Sequence, residues 1–276
     1  MVMVNSSKIN YHVSPSQINI WESCERKWGW SYIAGKKVTG PAQLVGKKVH
    51  AGIENYLLHK QFPKDEFFRP TNKSKLFYIH EIVKNGISKL PVKYGDLYCV
   101  EGDFEFIYNK IKYVGLIDLY WPDNNLNNLM HVYDHKTSSN PYKWAKTEKE
   151  ALIDPQLIIY SYYIFLEYPE IDTIIFSFNY IDTYHNRNHS HVTRANVKRD
   201  YVLDKMQNHI NPIGKKIINA QKNVSNVLDL DYNTNACSEY GGCPYISDCN
   251  LSISQMLTGG KSWRKQCQQK KKCNKK

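Results

Sequence analysis

With 276 residues, 42% of them hydrophobic and 13% aromatic, the chain carries enough apolar material for one substantial core, which excludes a disordered polymer. The net charge of +11 points toward nucleic acid, yet eight Lys and Arg residues in the stretch 261–276 supply +8 of it. No apolar run reaches the length of a membrane span and residues 1–8 lack the apolar core of a secretory signal, so the expectation is a protein of the cytoplasm or another reducing compartment, away from membranes. The segment 258–276 reads as a basic, disordered tail that either contacts phosphate backbones or only keeps the chain in solution. Seven cysteines at uneven spacing do not form a disulfide framework and favour metal-binding or free thiols.

Ser14-Pro15-Ser16-Gln17 opens a helix, with Ser14 as cap, Pro15 in the first turn and Gln17 near a capping-box position. Ile18, Trp21, Cys24 and Trp28 continue it at helical spacing to about Gly35. A second helix begins near Gln43 and carries Val45, Val49, Ile53, Tyr56 and Leu57; His50 lies on it, with Glu54 one turn later on the same side. The segment 73–90 reads as a third helix, stopped by Pro91. From Leu97 the period changes to two: 98–108 is a strand, Asn109-Lys110 a tight turn, and 111–118 the returning strand.

The stretch 115–137 then joins two apolar runs through the turn-like Pro122-Asp123-Asn124-Asn125, as neighbouring antiparallel strands of a meander do. Each run is broken by an acid, Asp118 in the first and Asp134 in the second. Burying an ionised carboxylate is costly without a cation or strong hydrogen bonds, so the pair, with Lys136 two residues after Asp134, points to a metal site. The segment 154–166 is a helix with Pro155 in its first turn, placing Gln156 and Tyr160 on one face. A strand pair at 173–181 and 190–194 and a helix over 200–223 follow, leading to Cys237, Cys243 and Cys249.

Taken in order, Gly46-x-x-x-His50, Gly115-x-x-Asp118, Asp134-x-Lys136 and Gln156-x-x-x-Tyr160 resemble the RecB-like branch of the PD-(D/E)XK nuclease superfamily over roughly residues 50–160. Cys24 before these motifs and Cys237, Cys243 and Cys249 after them resemble the split four-cysteine arrangement of the iron-sulfur members, which include AddB-type, CRISPR-adaptation and phage nucleases. Five residues separate Cys237 from Cys243, where many relatives have two. The resemblance implies an α/β fold with a restriction-endonuclease-like core, a central mixed β-sheet flanked by helices. It further implies one domain over 1–257, with its catalytic core at about 43–195 and metal-clasp segments at about 14–35 and 224–257.

The implied activity is metal-dependent hydrolysis of DNA, with His50, Asp118, Asp134 and the backbone carbonyl of His135 holding Mg²⁺ or Mn²⁺. Lys136 would orient water or stabilise the phosphate, Gln156 and Tyr160 would support Lys136 or the substrate, and Glu54 would back His50. A His in the first motif accompanies exonuclease activity in many relatives, so DNA ends or single strands in recombination, repair or replication are the expected substrate. Any helicase or recombination protein would be a separate partner, and a phage origin is compatible with the cysteine signature. The cysteines would hold a 4Fe-4S cluster, with structural Zn²⁺ as the alternative, tying the N-terminal helix to the C-terminal segment. Two other readings stay open, a catalytically silent DNA-binding scaffold and an endonuclease.

Overall fold

The computed structural model describes residues 11–251 except 65, 66, 73, 74, 93–95, 97, 185–188 and 250. The tail at 258–276, with Cys267 and Cys273, lies outside the described residues. In chain order the elements begin with α1 (Pro15–Ser23), α2 (Glu25–Tyr32), α3 (Pro41–His59), β1 (Phe67–Phe68), β2 (Phe77–Tyr78) and α4 (Ile79–Ile87). Then come β3 (Cys99–Tyr108), β4 (Ile111–Pro122), β5 (Leu129–Ser138), α5 (Pro141–Trp144), α6 (Glu148–Leu152) and α7 (Pro155–Glu167). Next are β6 (Thr173–Asp182), β7 (His191–Lys198), α8 (Arg199–Lys205), a π-helical turn (Met206–Ile210) and α9 (Asn211–Asn223), and last come 3-10 turns at Val227–Asp229, Thr234–Gly241 and Ile246–Cys249. Among the described residues no helix is long and apolar enough to cross a membrane. The chain divides into two compact units, one made of residues up to 38 and from 213 on, the other of residues 39–212.

In the first unit Ser14 caps α1 by accepting from the Gln17 N–H, as its position predicts. The expected continuous helix over 14–35 is instead two helices, because Cys24 is extended (φ −166, ψ 117). What competes with helix continuation is a set of carbonyls from the C-terminal segment. The Arg26 N–H donates to Asp231 O, and its guanidinium donates to the carbonyls of Leu228, Leu230 and Cys249. Gln17 does not close a capping box either. Its buried amide donates to His12 O and accepts from Trp28 Nε1, joining the two helices.

In the second unit a five-stranded sheet has the order β3-β4-β5-β6-β7. All neighbours are antiparallel except β5 and β6, which are parallel, so the sheet is mixed. The β5-to-β6 connection passes through α7, the crossover that parallel strands require. The expected meander is therefore correct for β3 to β5, and β6 joins it side by side with β5. The helix expected over 73–90 is shorter: Phe77–Tyr78 pairs with Phe67–Phe68, and only Ile79–Ile87 is helical. Aromatic cross-strand packing, Phe67 on Tyr78 at 4.3 Å between rings, takes the first turn from the helix.

Two helix layers flank the sheet. Val45, Val49, Ile53 and Leu57 of α3 and Ile79, Ile82 and Val83 of α4 pack with Leu119, Trp121, Tyr133 and Ile181 from the strands. The apolar α7 packs Tyr160 and Tyr163 against Phe104, and Tyr162 against Phe106. Gly115 is needed where it stands, since a Cβ there would fall 2.5 Å from the buried Phe104 ring. The constraint at Gly46 in α3 is milder: an added Cβ would sit 3.2 Å from Thr137 Oγ1, a tight contact that the hydroxyl would have to yield to where α3 lies close to β5.

Candidate active site

Asn109 and Lys110 both have positive φ, 47° and 66°, the two-residue turn whose twist suits a hairpin. It pairs Tyr108 with Ile111 and carries one register through the whole β3–β4 ladder. Val100 pairs with Leu119 and Gly102 with Ile117, so Glu101 stands opposite Asp118, at the one position where no pairing forms between those flanking pairs. On its other edge β4 pairs with β5 from Pro122–Met130 to Leu119–Tyr133, and there the ladder stops. The next position in that register would match Asp118 with Asp134. Three acids, Glu101, Asp118 and Asp134, thus lie in successive register positions across β3, β4 and β5.

The end of the β4–β5 ladder makes the site. His135 loses a strand partner for its N–H, and Asp118 Oδ2 accepts that proton instead at 2.6 Å. Asp118 Oδ1 faces His50 Nδ1 from α3 at 3.6 Å. Burial alone would raise the Asp118 carboxyl, but His50 and the His135 N–H outweigh it and bring it down to about 2. For His50, burial favours the neutral ring, while the Asp118 hydrogen bond and the charges of Asp118 and Asp134 carry it above its ordinary value. The His135 imidazole is buried and pushed down to about 4, so it is neutral at physiological pH.

Asp134 occupies a second cluster. Its Oδ2 is 2.5 Å from Lys136 Nζ, and its Oδ1 accepts from Gln156 Nε2 at 2.8 Å. Lys136 in turn donates to Gln156 Oε1 at 2.7 Å, and Gln156 Nε2 also reaches the Tyr160 hydroxyl at 3.2 Å. One amide therefore holds both members of the ion pair, which fixes its orientation and theirs. Burial raises the Asp134 carboxyl, and the ammonium of Lys136 works against that. Asp154 caps α7 by accepting from the Gln156 N–H at 2.7 Å and is itself paired with Lys146, so the helix start that carries Gln156 is anchored twice.

His50, Asp118, Asp134, Lys136, Gln156 and Tyr160, chosen from the sequence, all lie in this region. Glu101 was missed. His50, Glu101 and Asp118 each bring a ligand atom within 4.8 Å of the others, the only such metal-ligating group found among the described residues. Glu101 has φ 50, unusual for a non-glycine residue within a strand. Burial and the Asp118 charge push its carboxyl up to about 7, and Glu54 adds to the effect. The signal was present in the sequence: a two-residue turn at Asn109-Lys110 dictates that Glu101 meets Asp118. A histidine with hard carboxylates is a donor set that suits Mg²⁺ or Mn²⁺.

In the first unit Cys24, Cys237, Cys243 and Cys249 are free thiols that line one small cavity with Lys27, Tyr232 and Asn233. The Asn233 N–H points at Cys24 Sγ, 3.4 Å away. Burial raises the Cys237 and Cys249 thiols, and neighbouring thiols add to it. The four sulfurs are not gathered to mutual ligand distance in the way the His50 group is.

No match was found among curated proteins. The crystal structure of a "Putative exonuclease" from Eubacterium rectale is similar in fold, with 15% identity and a TM-score of 0.51, covering 92% of this chain and 95% of that one. That of SSO0001 has 13% identity and a TM-score of 0.46, covering 90% of this chain and 89% of that one. The model of the PD-(D/E)XK nuclease superfamily matches residues 12–250. With nearly the whole described chain matched, and with acid, acid and lysine meeting where two strands part, this protein belongs to the PD-(D/E)XK nuclease superfamily.

Proposed function

We propose that the chain is a metal-dependent deoxyribonuclease that acts on DNA ends or single strands. The observation that carries the reading is the parted β4–β5 ladder, where Asp118, Asp134 and Lys136 meet beside His50. His50, Asp118, Asp134 and the carbonyl of His135 are the proposed holders of Mg²⁺ or Mn²⁺. A divalent cation held there would supply positive charge for a phosphoryl oxygen and would make a water more acidic.

The remaining work falls to the chain. Lys136 presents its ammonium to the phosphate, where charge grows as the P–O bond breaks. Gln156 keeps Lys136 and Asp134 in register, and Tyr160 backs Gln156 from the same helix. Preference for ends is supported by the His50 motif and by the name of the Eubacterium rectale protein.

End-labelled single-stranded and duplex DNA, incubated with Mg²⁺ or Mn²⁺, should be cut by the wild type and spared by Asp134→Ala. Equal cutting by both proteins, or none by either, ends the enzyme reading. Nicking of covalently closed circles at the rate of linear digestion would make it an endonuclease.

The cysteines are proposed to hold a 4Fe-4S cluster, with Zn²⁺ as the alternative. Support comes from four free thiols around one cavity. Anaerobically purified protein should be brown, with broad visible absorbance that Cys249→Ser removes. A colourless protein containing zinc would retire the iron-sulfur assignment and leave the nuclease reading untouched.

A further inference from the structure

Asp118 turns its two oxygens to different neighbours. Oδ2 is taken by the His135 N–H, while Oδ1 opens toward His50. Glu101 joins this pair, with a carboxylate oxygen within 4.8 Å of a ligand atom of His50 and of Asp118. It arrives there from a different strand, by a register that the hairpin turn imposes, so three separate elements (α3, β3 and β4) converge on one point.

Holding an acid in this place is unfavourable twice over. Like charges opposite one another in an antiparallel pair repel, and the left-handed backbone at Glu101 disfavours any residue with a Cβ. Gly102, the neighbour that could take such a φ without penalty, does not have it; the acid does. Strain of this kind is kept where the surrounding structure has a use for the side chain. The imidazole of His50 and two carboxylates offer three convergent lone pairs of the type that hard divalent cations accept.

We propose that Glu101 is a protein ligand of the divalent cation, alongside His50 and Asp118, and so a further member of the metal centre beyond the motif residues. It rests on the nuclease reading only for what the bound cation does. The binding claim stands on the His50–Glu101–Asp118 convergence alone.

Mn²⁺ titration of the full metal-free chain, followed by calorimetry and by the Mn²⁺ EPR signal, tests it. Glu101→Gln should weaken Mn²⁺ binding by about tenfold or more, the scale on which loss of a metal's supporting partners is felt. Asp103→Asn removes the same charge from an exposed side chain two residues away on β3, which acts on Glu101 less than Asp118 or Glu54 does, and should leave the affinity within about twofold. Glu101→Gly relieves the backbone strain, should melt no lower than wild type, and should bind Mn²⁺ as poorly as Glu101→Gln.

Unchanged affinity in Glu101→Gln overturns the proposal, as does an equal loss in Asp103→Asn, which would reveal general electrostatic attraction. If Mn²⁺ binding depends on Glu101 but wild type cleaves no DNA, the ligand assignment stands and the nuclease reading falls. If wild type cleaves DNA while Glu101→Gln binds Mn²⁺ normally, the opposite holds.

Discussion

Asp118→Asn lowers DNA cleavage by about 10³-fold, equivalent to about 4 kcal/mol of transition-state stabilisation. The amide oxygen can still accept the His135 N–H, so the strand ends stay where they are. What disappears is the anionic oxygen facing His50 and, with it, the charge that holds a cation. The same substitution has a readout free of catalysis. In metal-free protein the His50 imidazole titrates above its ordinary value because Asp118 and Asp134 outweigh burial, and removing the Asp118 charge moves it down.

Stability follows with a definite sign. The Asp118 carboxyl falls from 3.8 to about 2 on folding. Its contribution, about 2 kcal/mol, is present above the unfolded value and is lost as pH falls through that interval. His50 has the opposite dependence: its raised value stabilises at low pH and fades as pH rises through the folded titration point. NMR titration of His50, urea denaturation between pH 2 and 8 and gel assays of cleavage check these three statements. Wild-type cleavage by Asp118→Asn would remove Asp118 from the centre.

Lys136→Met costs both activity and stability. The Asp134 side chain is 2% exposed and keeps only the Gln156 amide once the ammonium is gone. Stranding the buried carboxylate costs about 2 kcal/mol, less than for a fully buried pair because the Lys136 side chain is 33% exposed, and is partly relieved if the carboxyl takes up a proton. Cleavage falls by about 10²–10³-fold, the range for losing one preorganised charge on a transition state. The double variant Lys136→Met/Asp134→Asn separates the two effects. It removes the stranded charge and recovers most of the stability, with no return of cleavage. Urea midpoints for the two variants, beside cleavage rates, make the comparison. If Lys136→Met alone is as stable as wild type, the ion pair contributes nothing to the fold and the lysine belongs to the chemistry only.

Local chemistry made much of this protein legible from sequence. Ser14-Pro15 and Asp154-Pro155 start helices because their side-chain oxygens and missing N–H suit helix N-termini whatever surrounds them. Asn109-Lys110 makes a tight hairpin for a similarly local reason, and that turn already contains the Glu101–Asp118 register. The motif residues could be named because each sits on the element type that the resemblance implies, His50 and Gln156 on helices and Asp118 and Asp134 on strands.

Other features depended on partners remote in the chain. Nothing near Cys24 says that the helix breaks there; the carbonyls that recruit Arg26 lie some two hundred residues later. Phe77 and Tyr78 read as helix until Phe67 and Phe68 supply a strand to pair with. The sequence by itself determined the order of the longer helices and strands, the β3–β4 register and the choice of Asp118, Asp134 and Lys136 as candidates. Only the tertiary structure decided that the β4–β5 ladder ends between Leu119 and Asp118 and that α3 approaches closely enough at Gly46 to deliver His50. Where a ladder stops is set by packing across the whole sheet, and no local pattern encodes it. That stopping point frees the His135 N–H, seats Asp118 and leaves Glu101 facing the same space.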